Sequence, residues 1–289
     1  MRTGWQTMHD HRQNVPQHNK EPPAHMQTVV SQDGTRIALW RSGQGPPLLL
    51  IHGAVADHAT TWRLVRPALE RRFTVYAMDR RGRGGSGDDD HYALDREAED
   101  VASVIDAIGG PVDVLGHSYG ALCALEASLL TRGVRKLVLY EGVPVRGADA
   151  VDHEIIDGLE ALLAAGEVEE MLVTFLEAAG ASRDEIDIMR AQPDAWLRRI
   201  ANTTTIPREL RAEYEYVFVP DRFVQLQAST LLLVGGDSPA REAENAEAVA
   251  SALRDAHVSI LRGQQHLAMY TAPDAFADVV AHFLAGGAA

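Results

Sequence analysis

The sequence predicts an α/β protein: a mostly parallel sheet, doubly covered by helices, with a helical insertion in its second half. Three observations carry this. Continuous apolar runs such as Leu48-Leu49-Leu50-Ile51 and Leu231-Leu232-Leu233-Val234 read as strands buried on both faces. They alternate with amphipathic segments of helical period, the pattern of parallel strands joined by crossover helices. At Val112-Asp113-Val114-Leu115 an apolar run passes through Gly116-His117-Ser118-Tyr119-Gly120 directly into the helix formers Ala121–Ala127.

Composition bounds the rest. At 289 residues, with 46% hydrophobic and 24% charged residues, the chain is long enough for one large α/β domain with an insertion or for two small domains. Its net charge of −14 comes without any basic cluster, which excludes nucleic acid and an anionic membrane surface as expected partners and leaves a small-molecule substrate. A single cysteine, Cys123, forbids an internal disulfide and reads as a small buried apolar residue. No apolar stretch reaches the ~18 residues of a membrane span. No apolar core follows the first charges, so the expected location is cytoplasmic.

In chain order, residues 1–26 read as a disordered tail, polar and proline-bearing. Its four histidines, His9, His11, His18 and His25, have no spacing that would make a rigid metal site. Thr28–Ser31 and Arg36–Trp40 flank Asp33-Gly34 and form a hairpin. Then come strand Leu48–Ile51, a short helix Arg63–Arg71, strand Phe73–Met78 and the glycine-rich turn Asp79–Gly87. Leu94–Ile108 is amphipathic, with Val101, Val104, Ile105 and Ile108 on one face. After the strand and helix around Ser118, Lys136–Tyr140 is another strand. The alternation then breaks, and 143–226 reads as helices, the last over Leu210–Val219, punctuated by Gly180, Pro193, Pro207 and Pro220. We read this as a helical cap over a core made of 27–142 and 227–289. The core resumes with Thr230–Val234, helix Arg241–Leu253, strand Val258–Leu261 and helix Pro273–Leu284.

Four motifs together resemble the α/β-hydrolase superfamily, in its serine-nucleophile branch with a helical cap. They are His52-Gly53 after a strand, Asp79-x-x-Gly82-x-Gly84, the elbow Gly116–Gly120, and Gly263-x-x-His266 before the final helix. The likeness spans about residues 28–285. It implies the α/β-hydrolase fold and a nucleophile, and leaves the substrate open, because this fold hosts many chemistries.

Ser118 is the candidate nucleophile, and a serine hydroxyl needs a base within hydrogen-bond reach. His266 is the candidate base, in the order serine, acid, histidine that the resemblance implies. The acid has two candidates. The superfamily commonly carries it after the strand that follows the cap; here that stretch is Gly235-Gly236-Asp237-Ser238-Pro239, with serine in the usual slot. Some relatives place a glutamate after the strand before the cap, where this chain has Glu141. We favour Glu141 and keep Asp237 as the alternative. Two backbone N–H groups should form the oxyanion hole, one on Tyr119 and, by resemblance, one on Ala54. His117, inside the elbow, is expected to point away from the site. His52 and Asp79 are expected to hold their loops, and Trp62 to pack the early loop on the cap.

A serine nucleophile weighs against haloalkane dehalogenase or epoxide hydrolase chemistry. No cofactor is expected, since no Gly-x-Gly-x-x-Gly opens a helix after the first strand and no metal-ligand spacing occurs. The leading expectation is hydrolysis of an ester, lactone or thioester through an acyl-enzyme. Aromatic and aliphatic cap residues (Leu172, Phe175, Leu176, Trp196, Tyr214, Tyr216 and Phe218) point to a mostly apolar substrate. The alternatives are C–C bond hydrolysis and cofactor-free haloperoxidase-like perhydrolysis. A ligand-sensing protein without turnover is the alternative of another class, and the Ser118/His266 pair weighs against it.

Overall fold

The structure, a computed structural model, describes residues 25–150 and 152–286. The tail expected over 1–26 lies outside them, except that His25 and Met26 already belong to a strand paired with Arg41 and Trp40. Eight strands form one sheet: β1 (His25–Val30), β2 (Arg36–Gly43), β3 (Pro47–Ile51), β4 (Thr74–Met78), β5 (Val112–His117), β6 (Val134–Tyr140), β7 (Ser229–Gly235) and β8 (Ala256–Leu261). Their spatial order is β1-β2-β4-β3-β5-β6-β7-β8. The β1–β2 and β2–β4 pairs are antiparallel and all the others parallel.

Side-chain alternation along the buried strands divides the core in two. Leu48 and Leu50 of β3 face one layer, with Leu69 of helix α1 (Arg66–Glu70). Leu49 and Ile51 face the other, with Val101 and Ile105 of α2 (Leu94–Ile108) and Leu122 of α3 (Tyr119–Ala127). A continuous apolar run suits a strand that needs both faces dry.

Between β6 and β7 the described residues form six α-helices, α4 (Gly147–Ala150), α5 (His153–Ala165), α6 (Val168–Ala178), α7 (Arg183–Arg190), α8 (Pro193–Ala201) and α9 (Ile206–Tyr214), and two single 3-10 turns, Thr203–Thr205 and Pro220–Arg222. Their ends are written locally. Asp152 caps α5 and Gly166 closes it in the left-handed region; Ser182 and Glu185 form a reciprocal capping box on α7. One boundary differs from expectation. The helix expected over Leu210–Val219 starts at Ile206, with Pro207 in its first turn, and ends at Tyr214. Proline is preorganised for a first turn, and Val217 instead bridges to Arg146 in extended backbone. Helices α10 (Ala240–Ala252), α11 (Ala268–Thr271) and α12 (Pro273–Leu284) complete the chain. Among the described residues no helix is long and apolar enough to cross a membrane.

Strand order reverses between β3 and β5, the place where open parallel sheets leave a crevice beyond their carboxyl ends. His52-Gly53-Ala54 follows β3, Ser118 follows β5, Glu141 follows β6, and His266 lies in the loop after β8.

Candidate active site

Ser118 joins β5 to α3 with φ 54° and ψ −132°, a conformation that costs a non-glycine residue of order 1–3 kcal/mol. Two glycines make the bend possible. A Cβ on Gly120 would lie 2.4 Å from the carbonyl oxygen of His52, so only hydrogen allows α3 to approach the end of β3. A Cβ on Gly142 would lie 2.4 Å from the Ser118 Cα, and Gly142 has φ +81°. Glu141, just before it, is itself in the left-handed region at φ 49°. The peptide after β6 is thus wound tightly against the Ser118 backbone.

That winding delivers Glu141 to the histidine. Its Oε2 stands 2.6 Å from His266 Nδ1. Its Oε1 accepts from the Gly235 N–H at 2.8 Å and from the Ser238 hydroxyl at 2.7 Å. Burial alone would raise the Glu141 pKa; the His266 contact and these donors outweigh it and hold the carboxylate below its ordinary range. Burial alone would lower the His266 pKa, yet the hydrogen bond and charge of Glu141, reinforced by Glu242 and Glu185, hold it above its ordinary value. With Nδ1 engaged, Nε2 is the ring nitrogen left for other partners. Asp237 is exposed, and its carboxylate makes no hydrogen bond among the described residues.

Ser118 and His266 line one cavity of about 90 Å³ together with Ala54 and Tyr119. Ile155, Phe175, Ala179, Ile206 and Leu210 supply its apolar wall, and Glu209, Glu213, Arg241 and Glu242 its charged lining. Burial and the charge of Glu242 push the Glu213 carboxyl up to about 7. A second space of about 30 Å³ adjoins the same serine and histidine. Its wall includes Arg199, His117, Tyr270 and Leu176. Of the seven apolar cap residues named from sequence, Phe175 and Leu176 reach these spaces. Leu172 and Trp196 are core on one side of the sheet, with Tyr214 half-buried against the same cluster, and Tyr216 and Phe218 are core on the other.

His117 departs from expectation. Its ring does not point away: it lines the smaller space, its centroid lies 4.7 Å from that of His266, and its Nε2 meets the His266 carbonyl oxygen at 3.0 Å. The strand pleat turns it inward, next to the histidine loop. His52 and Asp79 hold their loops, Asp79 accepting from the N–H groups of His58 and Gly85. Trp62 is fully buried in the core that the inserted helices share.

Ser238 and Arg199 adjoin this arrangement and are not among the residues singled out from sequence. A signal for Ser238 existed, since it fills the slot where the superfamily commonly has its acid, and here it donates to the Glu141 carboxylate. Arg199 had none: it is 4% exposed, donates to the Tyr270 hydroxyl and, at 3.5 Å, to the Val55 carbonyl, and has no carboxylate partner among the described residues. No cluster of metal-ligating side chains occurs among the described residues.

This fold and arrangement define an α/β hydrolase. The model of the alpha/beta hydrolase family matches residues 48–279, so the chain belongs to that family and is a hydrolase. It is 27% identical over 278 residues to the 2-hydroxy-6-oxo-6-(2'-aminophenyl)hexa-2,4-dienoic acid hydrolase of Metapseudomonas resinovorans, spanning 92% of this chain and 93% of the relative. It is 26% identical over 245 residues to the (E)-2-((N-methylformamido)methylene)succinate hydrolase of Acinetobacter baylyi, covering 81% and 89% of the two chains. Among solved structures, an alpha/beta hydrolase from Sphaerobacter thermophilus superposes with a TM-score of 0.76 at 35% identity, covering 89% of this chain and all of that one.

Proposed function

We propose that the protein hydrolyses an ester, lactone or thioester of a small molecule through an acyl-enzyme on Ser118. The observation that carries this reading is the 2.6 Å Glu141–His266 hydrogen bond, set on the same cavity wall as Ser118. His266 Nε2 takes the hydroxyl proton as Ser118 Oγ bonds to the carbonyl carbon. The oxygen that gains charge is met by the N–H groups of Ala54 and Tyr119, each worth roughly 2.7–4 kcal/mol in such sites. The tetrahedral adduct expels the leaving group, which takes the proton from His266. Water, deprotonated by the same nitrogen, then releases the acid and restores Ser118. Glu141 keeps the imidazole in one tautomer and stabilises its cation throughout. Helices α4–α9 act as the cap that closes over this chemistry. The free space beside Ser118, about 90 Å³, is below the ~300 Å³ of common ligand sites and suits a small substrate.

A second reading, C–C bond hydrolysis, is favoured by one observation. Arg199 is a buried cation beside Ser118 with no carboxylate partner among the described residues, and a buried unpaired charge is costly until a ligand neutralises it. An acid-bearing substrate would do so, and both curated relatives above are named for acids.

The test is pre-steady-state kinetics with p-nitrophenyl esters of neutral and carboxylate-bearing acyl groups. A stoichiometric burst followed by slower turnover supports the acyl-enzyme. No burst and no turnover on either series, with cleavage of a vinylogous 1,5-diketo acid instead, moves the assignment to C–C hydrolysis.

A further inference from the structure

The Gly53–Ala54 peptide is held from its carbonyl side. The Gly53 oxygen accepts from His52 Nδ1 at 2.8 Å and from Arg80 Nη1 at 3.3 Å. The tautomer of His52 follows from its other nitrogen. The main-chain N–H of Arg80 donates to His52 Nε2 at 3.1 Å, so the ring proton sits on Nδ1 and points at Gly53. In a trans peptide the N–H is directed opposite to the C=O. Two donors on the Gly53 carbonyl therefore aim the Ala54 N–H away from them, and Ala54 is on the wall of the cavity that holds Ser118.

Arg80 also reaches the other donor. Its guanidinium carbon lies 4.6 Å from the centroid of the Tyr119 ring, a cation over a π face. The Tyr92 hydroxyl donates to Glu97 at 3.0 Å and, with one proton only, accepts from the Tyr119 hydroxyl at 3.0 Å. Arg80 itself has no exposed surface. Its fork is set on Glu97 (Nη2–Oε1 2.6 Å, Nε–Oε2 3.1 Å), which leaves Nη1 for Gly53 and, at 3.4 Å, for Glu209 of α9.

We infer that Arg80 is a positioning residue for the oxyanion hole, fixing the Ala54 amide through the Gly53 carbonyl and the Tyr119 amide through its ring, with Glu209 tying both to the cap. This rests on reading Ala54 and Tyr119 as the oxyanion donors. One planar, buried cation thereby holds two amides that come from loops far apart in sequence. A lysine cannot reproduce this, because its single ammonium has no fork to span Glu97, Gly53 and the ring face together.

Arg80→Lys keeps the charge and tests the geometry. Wild type and variant are compared on a p-nitrophenyl ester for kcat, KM and pH profile, and on the trifluoromethyl ketone of the same acyl group for inhibitor affinity. We expect kcat to fall about tenfold or more and the ketone affinity to fall in the same proportion. KM should stay within about threefold, with the pH profile unmoved. A folded variant with wild-type kcat, or one that loses kcat while keeping ketone affinity, overturns the inference. Where the lysine variant does not fold, the double variant Arg80→Gln/Glu97→Gln, which removes both charges of the pair together, is read by the same criteria. A wild-type protein that neither turns over esters nor binds the ketone overturns the ester hydrolase reading instead, and this inference falls with it.

Discussion

The carboxylate of Glu141 holds Nδ1 of His266 at 2.6 Å while its second oxygen is held by the Gly235 amide and the Ser238 hydroxyl. A side chain with both oxygens occupied has one orientation, and it passes that orientation to the imidazole. Glu141→Gln should keep the fold and lower kcat by about 10⁴, as loss of the carboxylate does in comparable triads. Asp237→Asn should leave kcat within about twofold, since surface changes away from a site are near neutral. Steady-state rates of the two variants on one ester separate these positions.

Acid sensitivity follows from the histidine. Its pKa is held above the ordinary 6.5 by Glu141, with Glu242 and Glu185 adding to the effect. A general base works only when neutral, so kcat/KM should fall as pH drops through that raised value and plateau above it. Glu242→Gln removes a carboxylate that favours the imidazolium and should move this acid limb to lower pH. A limb that stays in place, or moves up, contradicts the electrostatic account.

The backbone of Gly142 is packed against that of Ser118. Gly142→Ala places a methyl 2.4 Å from the Ser118 Cα, against backbone that cannot rotate away. Overpacking of this kind costs ~1–3 kcal/mol, and in a chain of this size each kcal/mol is worth roughly 2–4 °C in Tm. Calorimetry should show that loss, and kcat should fall further than stability does, because the strained bend itself is displaced.

Buried and exposed ion pairs made by α9 should behave differently. Glu209 pairs with Arg83 and Arg80 in full burial. Glu209→Ala strands the buried Arg83, while Arg80 keeps Glu97, and should cost roughly 3–5 kcal/mol in urea unfolding. The Arg211–Glu160 pair is open to solvent on both sides, and Arg211→Ala should leave the unfolding midpoint unchanged.

Much of the fold was legible because its signals are local. Leu94–Ile108 and Pro273–Leu284 were bounded to the residue by their periodicity and by Gly109 or Pro273 at their ends. The convergence of Ser118, His266, Ala54 and Tyr119 on one cavity, with Glu141 on His266, was legible because motifs mark turns, and turns at strand ends converge in a parallel sheet. What could not be read depends on contacts distant in sequence. The inward turn of His117, the buried Arg199 and the fork of Arg80 on Glu97 and Gly53 are set by tertiary neighbours, and no pattern around those residues announces them. The start of α9 was misplaced because the apolar spacing after Leu210 continues into an extended segment, while Pro207 had already marked the true first turn.

The account turns on Ser118 being made nucleophilic by His266, and covalent labelling tests this most directly. Treatment of the full chain with a fluorophosphonate, followed by peptide mass spectrometry, should place one adduct on Ser118, with the adduct lost in His266→Ala. An unlabelled Ser118 in folded wild-type protein, or equal labelling of the His266→Ala variant, would contradict it.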